Sequence, residues 1–518
     1  VNAIPFFSVT NEQHQLVGPG PRVWLVHSDW NDFHEFWTKY RLVYFDEHDH
    51  KHFIGNVKIG QFEMNSHAPD LPSAFDKLNS QFFSLGTDEV YYENLESLGA
   101  EFRVRLLRSL QDAAYTKEIY DAAHTERVFW NSLTRDIPDS VVTGRFRRLA
   151  QGDVRKLEYN FHYLCPPNTN STGFSLSFEV DPNSNPPSNV HALIGRNGVG
   201  KSFCLNSMAG GFLDEKRRDD EYTFESDTKT GQGKFNGVVL LSFSAFDSFS
   251  VPVRTDRTVR YRYVGLKRNA ERAVDSWKDE AEHASESKDQ GLRDSAELAK
   301  YFATSVANCI QDGLYQRWKK AIQELETDPV FRQHELTDKI LEDLSTSPSE
   351  VVSLFKTFST GHQIVLLTIT KLVEYAGERT LILMDEPEGH LHPPLLSSFV
   401  RTLSNLLKEL NAVAIVATHS PVVLQEIPKH CVSIINRSGM AIAVHQPEIE
   451  TFGEGIGILT REVFGLEVTE SGFNKLIQNK VNRGATYEEI LSDFNNRLGG
   501  EAKSIAKALV LNRDSLKG

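Results

Sequence analysis

Val190-His191-Ala192-Leu193-Ile194-Gly195-Arg196-Asn197-Gly198-Val199-Gly200-Lys201-Ser202 decides the fold of this chain. An apolar strand runs straight into G-x-x-x-x-G-K-S, and a helix is expected to begin where the loop ends. Glycines let backbone N–H groups close around phosphate oxygens, and the N-terminus of the next helix adds the positive end of its dipole. Gly195, Arg196, Asn197, Gly198, Val199, Gly200, Lys201 and Ser202 are therefore expected to bind a nucleoside triphosphate. Lys201 should reach the β- and γ-phosphates, and Ser202 should offer its hydroxyl to Mg²⁺.

Thr380-Leu381-Ile382-Leu383-Met384-Asp385-Glu386-Pro387 is a second apolar run, and it ends in two carboxylates. A strand covered on both faces of a parallel sheet reads as a continuous hydrophobic stretch, and ligands sit at the C-terminal ends of such strands. Asp385 is expected to help hold Mg²⁺ together with Ser202, and Glu386 to orient and activate the attacking water. A third such run, Val413-Ala414-Ile415-Val416-Ala417-Thr418, delivers His419 to the same sheet edge, thirty-four residues after Asp385.

With Asn197-Gly198 in the middle of the phosphate loop, this order of motifs resembles the ATP-binding-cassette and SMC/RecF group of ATPases. The resemblance implies an α/β fold: a cassette-type P-loop core with a helical insertion, a β-rich N-terminal region and a helical C-terminal tail. It also gives Phe358-Ser359-Thr360-Gly361-His362-Gln363 a role. The stretch is similar to the family's signature sequence, so Ser359, Thr360, Gly361, His362 and Gln363 would serve the nucleotide bound to the opposite subunit. His419 would be the switch histidine that contacts the γ-phosphate, and catalysis would rest on Glu386 and His419. The family's usual Gln after the next strand is missing: Ser244 stands in its place in Leu240-Leu241-Ser242-Phe243-Ser244, with Asp247 three residues on.

The chain has 518 residues and 40% apolar composition, enough for two or three cores. A net charge of −14 excludes a general nucleic-acid glove, so any DNA or RNA contact must be a local basic patch. Cys165, Cys204, Cys309 and Cys431 are far apart and lack C-x-x-C spacing. That argues against zinc or a disulfide framework and for a reducing cytoplasm. No apolar run approaches ~18 residues, so no transmembrane helix is expected, and the first residues lack the pattern of a signal peptide.

The expected organisation is an N-terminal α+β region (1–150), the first part of the core (151–264), a helical arm (265–355), the second part of the core (356–449) and a helical tail (450–518). Arg22–His27, Tyr40–Phe45, Phe53–Ile59, Val154–Tyr163 and Phe174–Val180 read as strands, and Asp88–Trp130 as helical. Asp46-Glu47-His48-Asp49-His50-Lys51-His52 reads as a solvated hairpin turn rather than a metal site. Trp30, Phe33, Phe36 and Trp37 read as core aromatics at near-helical spacing. Arg145, Arg147, Arg148 and Arg155 form one compact basic stretch, read as a solvated face. Ala270–Glu286 and Leu298–Leu325 suggest a helical pair; ~30 residues each would project ~45 Å. Without persistent heptads the arm is expected to dock a partner or a second copy.

Asp385-Glu386-Pro387-Glu388-Gly389-His390-Leu391-His392-Pro393 looks like the form found in OLD- and RecF-like bacterial ATPases. His390 and His392 would then contact a second copy across a homodimer or higher homo-oligomer. Glu450-Thr451-Phe452-Gly453-Glu454 and Leu459-Thr460-Arg461-Glu462-Val463-Phe464-Gly465 resemble the tail of PtuA, the ATPase of Septu-type and retron-associated anti-phage systems. That likeness implies ATP and Mg²⁺ as cofactors and a separate HNH nuclease as partner. DNA or RNA, including retron msDNA, would be reached only through the complex, and no membrane would be involved. No D-x-D follows Ser420, so no nuclease carboxylate set is expected in this chain. The alternative is a DNA-repair or chromosome-maintenance ATPase acting directly on DNA.

Overall fold

The computed structural model describes residues 4–9, 20–27, 35–135, 137–156, 158–167, 172–214, 221–225, 235–243, 260–267, 292–333, 348–470 and 472–515. Ser244, Asp247, Trp30, Phe33 and Ala270–Glu286 lie outside the described residues.

The chain makes sixteen strands among these residues: β1 Phe6–Val9, β2 Arg22–His27, β3 Lys39–Phe45, β4 Lys51–Gln61, β5 Ala74–Phe75, β6 Phe82–Gly86, β7 Tyr159–Cys165, β8 Phe174–Val180, β9 Val190–Ile194, β10 Tyr222–Glu225, β11 Gly237–Ser242, β12 Arg260–Gly265, β13 Thr380–Asp385, β14 Val413–Thr418, β15 Val432–Ser438 and β16 Ala441–His445. They form three sheets, ordered β5-β1-β2-β3-β4-β6, β10-β7-β8 and β12-β11-β13-β14-β9-β15-β16. The last is parallel except for its edge strand β16. The second is antiparallel.

The three runs carry apolar residues on both sides because both faces of this sheet are covered. Ala192 and Ile194, Ile382 and Met384, and Ala414 and Val416 join one core, with the helices Ser295–Gln311, Tyr315–Leu325, Pro348–Thr357, Thr360–Tyr375 and Pro393–Leu410. Their alternate neighbours Leu193, Leu381, Leu383, Val413 and Ile415 face the opposite core, with the β10-β7-β8 sheet and the helix Lys201–Leu213. The fold is therefore α/β, with a phosphate-loop helix on one face and a helical layer on the other.

The described part of the expected arm does not project, contrary to the sequence reading. Ala299, Phe302, Val306, Trp318 and Ile322 are buried in the main core. The run Leu298–Leu325 also breaks, because Gly313 takes a φ of +79° between two helices of 17 and 11 residues. Apolar residues at helical spacing along both pieces demand a partner surface, and the cassette's own helices supply it. The strand expected from Val154 begins only at Tyr159, since Asp153 accepts from Arg155 N and Nε and curls the chain locally.

The basic stretch is likewise not a solvated face. Arg145 is 5% exposed and lies 3.2 Å from Glu378 and 3.5 Å from Glu89. Arg148 donates to both oxygens of Glu378 at 3.1 and 2.9 Å. Arg147 Nε donates to Ala114 O, and Arg155 alone stays exposed, paired with Asp153. Glu378 precedes β13, so these arginines tie the N-terminal region to the strand that carries Asp385. Breaking a buried pair by removing one partner costs about 3–5 kcal/mol, because the other charge is stranded. Arg145→Ala is expected to lower the unfolding free energy by that order in a urea titration, and an unchanged midpoint would contradict the clamp.

Asp46 organises the hairpin turn by accepting from the backbone N–H groups of His48 and His50 and contacting the His50 and His52 rings. These contacts, led by the His52 ring, hold its carboxyl well below the usual range. Phe36 is buried in the N-terminal core, and Trp37 packs edge-on against His67, so neither lies in a helix. The tail is helical, and its helices Gly472–Asn482, Tyr487–Asp493 and Gly500–Ser515 share a small core of their own around Ile477, Ile490 and Ala506.

Candidate functional site

The phosphate loop bridges β9 and the helix Lys201–Leu213. Gly198 and Gly200 take φ values of +81° and +107°, a region that L side chains rarely enter. Gly195 is needed for a different reason: a Cβ there would collide with the carbonyl oxygen of Ile435 on β15. Lys201 is buried, and its Nζ donates to Gly195 O at 3.0 Å and Arg196 O at 3.2 Å. Burial lowers its pKa, opposed by the charges of Glu386, Asp385 and Glu388.

β13 and β14 end beside this loop, because β14 lies between β13 and β9 in the sheet. An open cleft of about 310 Å³ is lined by Asn197, Gly198, Gly200, Lys201, Ser202, Phe203, Glu386 and His419. Asp385 sits just behind it, hydrogen-bonded to Ser202. Burial pushes its carboxyl up to about 6; the Ser202 bond works against this and the Glu386 charge adds to it. Its Oδ1 is buried with no hydrogen-bond partner. An orphaned carboxylate oxygen beside a serine hydroxyl suits a hard divalent cation such as Mg²⁺, which is bound by one or two carboxylates plus substrate phosphates.

Glu386 takes φ 45°, ψ 58°, the left-handed region, and its N–H donates to Ala417 O at 2.9 Å. A non-glycine residue held there costs about 1–3 kcal/mol, and such strain clusters at functional sites. The kink turns Glu386 out of the sheet, so that Asp385 is buried while Glu386 is 42% exposed at the cleft. His419 Nδ1 lies 3.6 Å from Glu386 but 3.2 Å from Glu388.

Glu388 is the residue that motif reading missed. Its Oε1 accepts from Thr418 Oγ1 at 2.7 Å and from His419 N at 2.8 Å, so it fixes the loop that carries the histidine. The signal was present: a second Glu two residues after the first is an unusual cost at the turn unless it has buried donors to satisfy. Arg437 at the end of β15 was missed as well, since nothing in its local sequence shows that its guanidinium lies 3.5 Å from Gly198 O.

Ser359, Thr360, Gly361, His362 and Gln363 open the helix Thr360–Tyr375, and none of them lines the cleft. Only Ser359 and Thr360 are exposed. The expectation that all five face a partner is narrowed accordingly. Gly361 packs under the backbone of His390, and Gln363 Nε2 donates to Phe355 O and Phe358 O, closing the end of the preceding helix. His362 points inward, with Nδ1 2.6 Å from Ser359 Oγ. The Ser359 hydroxyl therefore does not cap its helix, although its backbone is at the N-cap position.

His390 and His392 are both exposed. His392 also caps a helix, since its Nδ1 accepts from Leu395 N at 3.2 Å at the start of Pro393–Leu410. No helix among the described residues is long and apolar enough to cross a membrane.

Residues 348–425, which span the signature, the acidic strand and His419, match the family model described as "AAA domain, putative AbiEii toxin, Type IV TA system". Among solved structures, the ATP-binding cassette MJ1267 of an ABC transporter in its ADP conformation is 15% identical, covering 61% of this chain and 98% of that one, with a TM-score of 0.29. An Smc head bound to the C-winged helix domain of ScpA is 11% identical, covering 56% and 97%, with a TM-score of 0.27. At scores this low neither carries weight, and the fold assignment rests on strand order and phosphate loop. Protein ea59 of Escherichia phage lambda is 38% identical over 525 residues, covering 96% of each chain. The chain thus belongs to the family of phage lambda ea59, and it is built on a P-loop ATPase fold of the ATP-binding-cassette type.

Proposed function

We infer that this protein is an ATP-dependent switch: it binds ATP with Mg²⁺, closes as a dimer, hydrolyses the nucleotide slowly and so controls a separate nuclease of the HNH class in an anti-phage complex. The observation that carries the first half is the gathering of Lys201, Ser202, Asp385, Glu386 and His419 around one cleft at the ends of β9, β13 and β14. In this reading Lys201 would release the loop carbonyls and take up phosphate charge, while Ser202 and Asp385 would hold Mg²⁺, which would supply charge neutralisation at the phosphates. Glu386 is exposed at the cleft and oriented by its backbone kink to act as the base for water, and His419, steadied by Glu388, meets the γ-phosphate. Ser359 and Thr360 are the exposed start of a helix and complete the partner's site.

Two points support the regulatory half. The family model matched by residues 348–425 is described by a putative toxin of a toxin–antitoxin system, and three of the four arginines of the basic stretch are taken up by contacts within the molecule. The last point favours this reading over direct action on DNA. Native co-purification followed by a nucleic-acid cleavage assay with and without ATP tests it. The expected result is cleavage that requires the partner and responds to nucleotide. Cleavage by this chain alone would contradict it, and cleavage by the complex that does not respond to ATP would remove the regulatory part.

A further inference from the structure

Behind the signature helix, Ser359, His362 and Asp328 form a hydrogen-bonded chain. Ser359 Oγ is 2.6 Å from His362 Nδ1, and His362 Nε2 is 3.3 Å from Asp328 Oδ1. Asp328 lies between the helices Tyr315–Leu325 and Pro329–Gln333, within the insertion. The chain therefore links that insertion to the one serine that opens the signature helix. His362 and Asp328 are buried, with side chains 6% and 3% exposed, whereas Ser359 is exposed.

The hydrogens can be assigned from donor counts. An ionised carboxylate only accepts, and Asp328 Oδ1 also accepts from Val330 N at 2.9 Å. His362 Nε2 must then carry a hydrogen. In the neutral ring Nδ1 is left as an acceptor, so the Ser359 hydroxyl donates inward to it. Its outward side then offers only lone pairs, the wrong polarity for a phosphate oxygen. If the ring takes a proton from solvent, Nδ1–H donates to Ser359 Oγ instead. The hydroxyl hydrogen is released to point outward, and a positive charge paired with Asp328 stands behind it.

Among the described residues, the groups that face His362 from neighbouring elements are few. Asp328 and His392 are the titratable ones; the His392 ring centroid lies 5.9 Å away. Phe331 and Phe358 supply aromatic contacts at 4.9 and 6.4 Å. Asp328, His362 and His392 also have the composition of a metal site. The lone pairs of the two rings are already used, however: His392 Nδ1 accepts from Leu395 N, and both His362 nitrogens have partners.

We propose that His362 is a positioning residue that sets the polarity of Ser359, so that engagement of a phosphate group by the signature serine is coupled to uptake of one proton by the His362–Asp328 pair. This rests on the dimeric composite site inferred above.

The test uses the full chain carrying Glu386→Gln, which is expected to hold the ATP-bound dimer. Dimer affinity with ATP and Mg²⁺ is measured by sedimentation between pH 6 and pH 8, and proton uptake by calorimetry in two buffers of different ionisation enthalpy. The nucleotide's own titration is common to all variants, so the readout is the difference between them. Closure engages two signature serines and so takes up as many as two protons, and the dimer should tighten as pH falls by up to about a hundredfold per pH unit. His362→Gln should remove that component and the associated protons. Asp328→Asn, which keeps an acceptor but loses the charge, should shift the response to lower pH; it serves if His362→Gln folds poorly. The same pH slope in the His362→Gln and Asp328→Asn chains would overturn the proposal while leaving the composite site intact. No ATP-dependent dimer in any variant would remove the site on which it rests. Stoichiometric zinc binding lost in His362→Gln would replace the hydrogen-bonded chain with a metal centre.

Discussion

Glu386→Gln is expected to lower ATP turnover by about 10²–10⁴-fold, the range lost with a positioned general base, while nucleotide binding survives. The side chain is exposed at the cleft and kinked out of its strand, and the change to an amide conserves shape while removing basicity. Neighbouring carboxylates do not substitute for it. Asp385 is buried against Ser202, and Glu388 is committed to Thr418 and the backbone of His419. Single-turnover hydrolysis measured beside equilibrium ATP binding separates the two effects. Equal loss of binding and turnover would make Glu386 a structural residue instead.

Lys201→Ala is expected to weaken ATP binding by at least about 100-fold, since hydrogen bonds to charged groups contribute about 1.5–3 kcal/mol each. Lys201 is the loop's one ammonium, and it already donates to two loop carbonyls that a phosphate can replace. Its removal leaves those carbonyls, Gly195 O and Arg196 O, without that donor, so a thermal melt should accompany calorimetric titration with ATP and Mg²⁺. Near-native affinity in a folded variant would mean that the loop does not cradle phosphate through this residue.

The cassette strands were legible because each is a short apolar run covered on both faces, and each ends in residues that make sense only at a ligand edge. Periodicity could show that Leu298–Leu325 is helical and half-apolar, but not whether its apolar stripe seeks a second molecule or the chain's own core. Trp318 and Phe302 settle that by being buried. The arginine stretch failed for a related reason. Charge clustering is a local property, whereas the partner of Arg145 and Arg148 is Glu378, more than two hundred residues away. Phe358–Gln363 stood out as a signature-like stretch only by resemblance, and which of its residues face outward depends on the carbonyls of Phe355 and Phe358 and on Asp328, which no local pattern reveals.

If two copies share each ATP site, with Ser359 of one completing the cleft of the other, defects in the two halves must complement. Mixing Lys201→Ala chains with Ser359→Arg chains reads this out. Each parent alone should be inactive, while the mixed dimer retains one site with both an intact phosphate loop and an intact signature serine. Hydrolysis that appears on mixing and peaks near equal amounts is the predicted result. Mixed dimers confirmed by mass that show no hydrolysis at any ratio would contradict it.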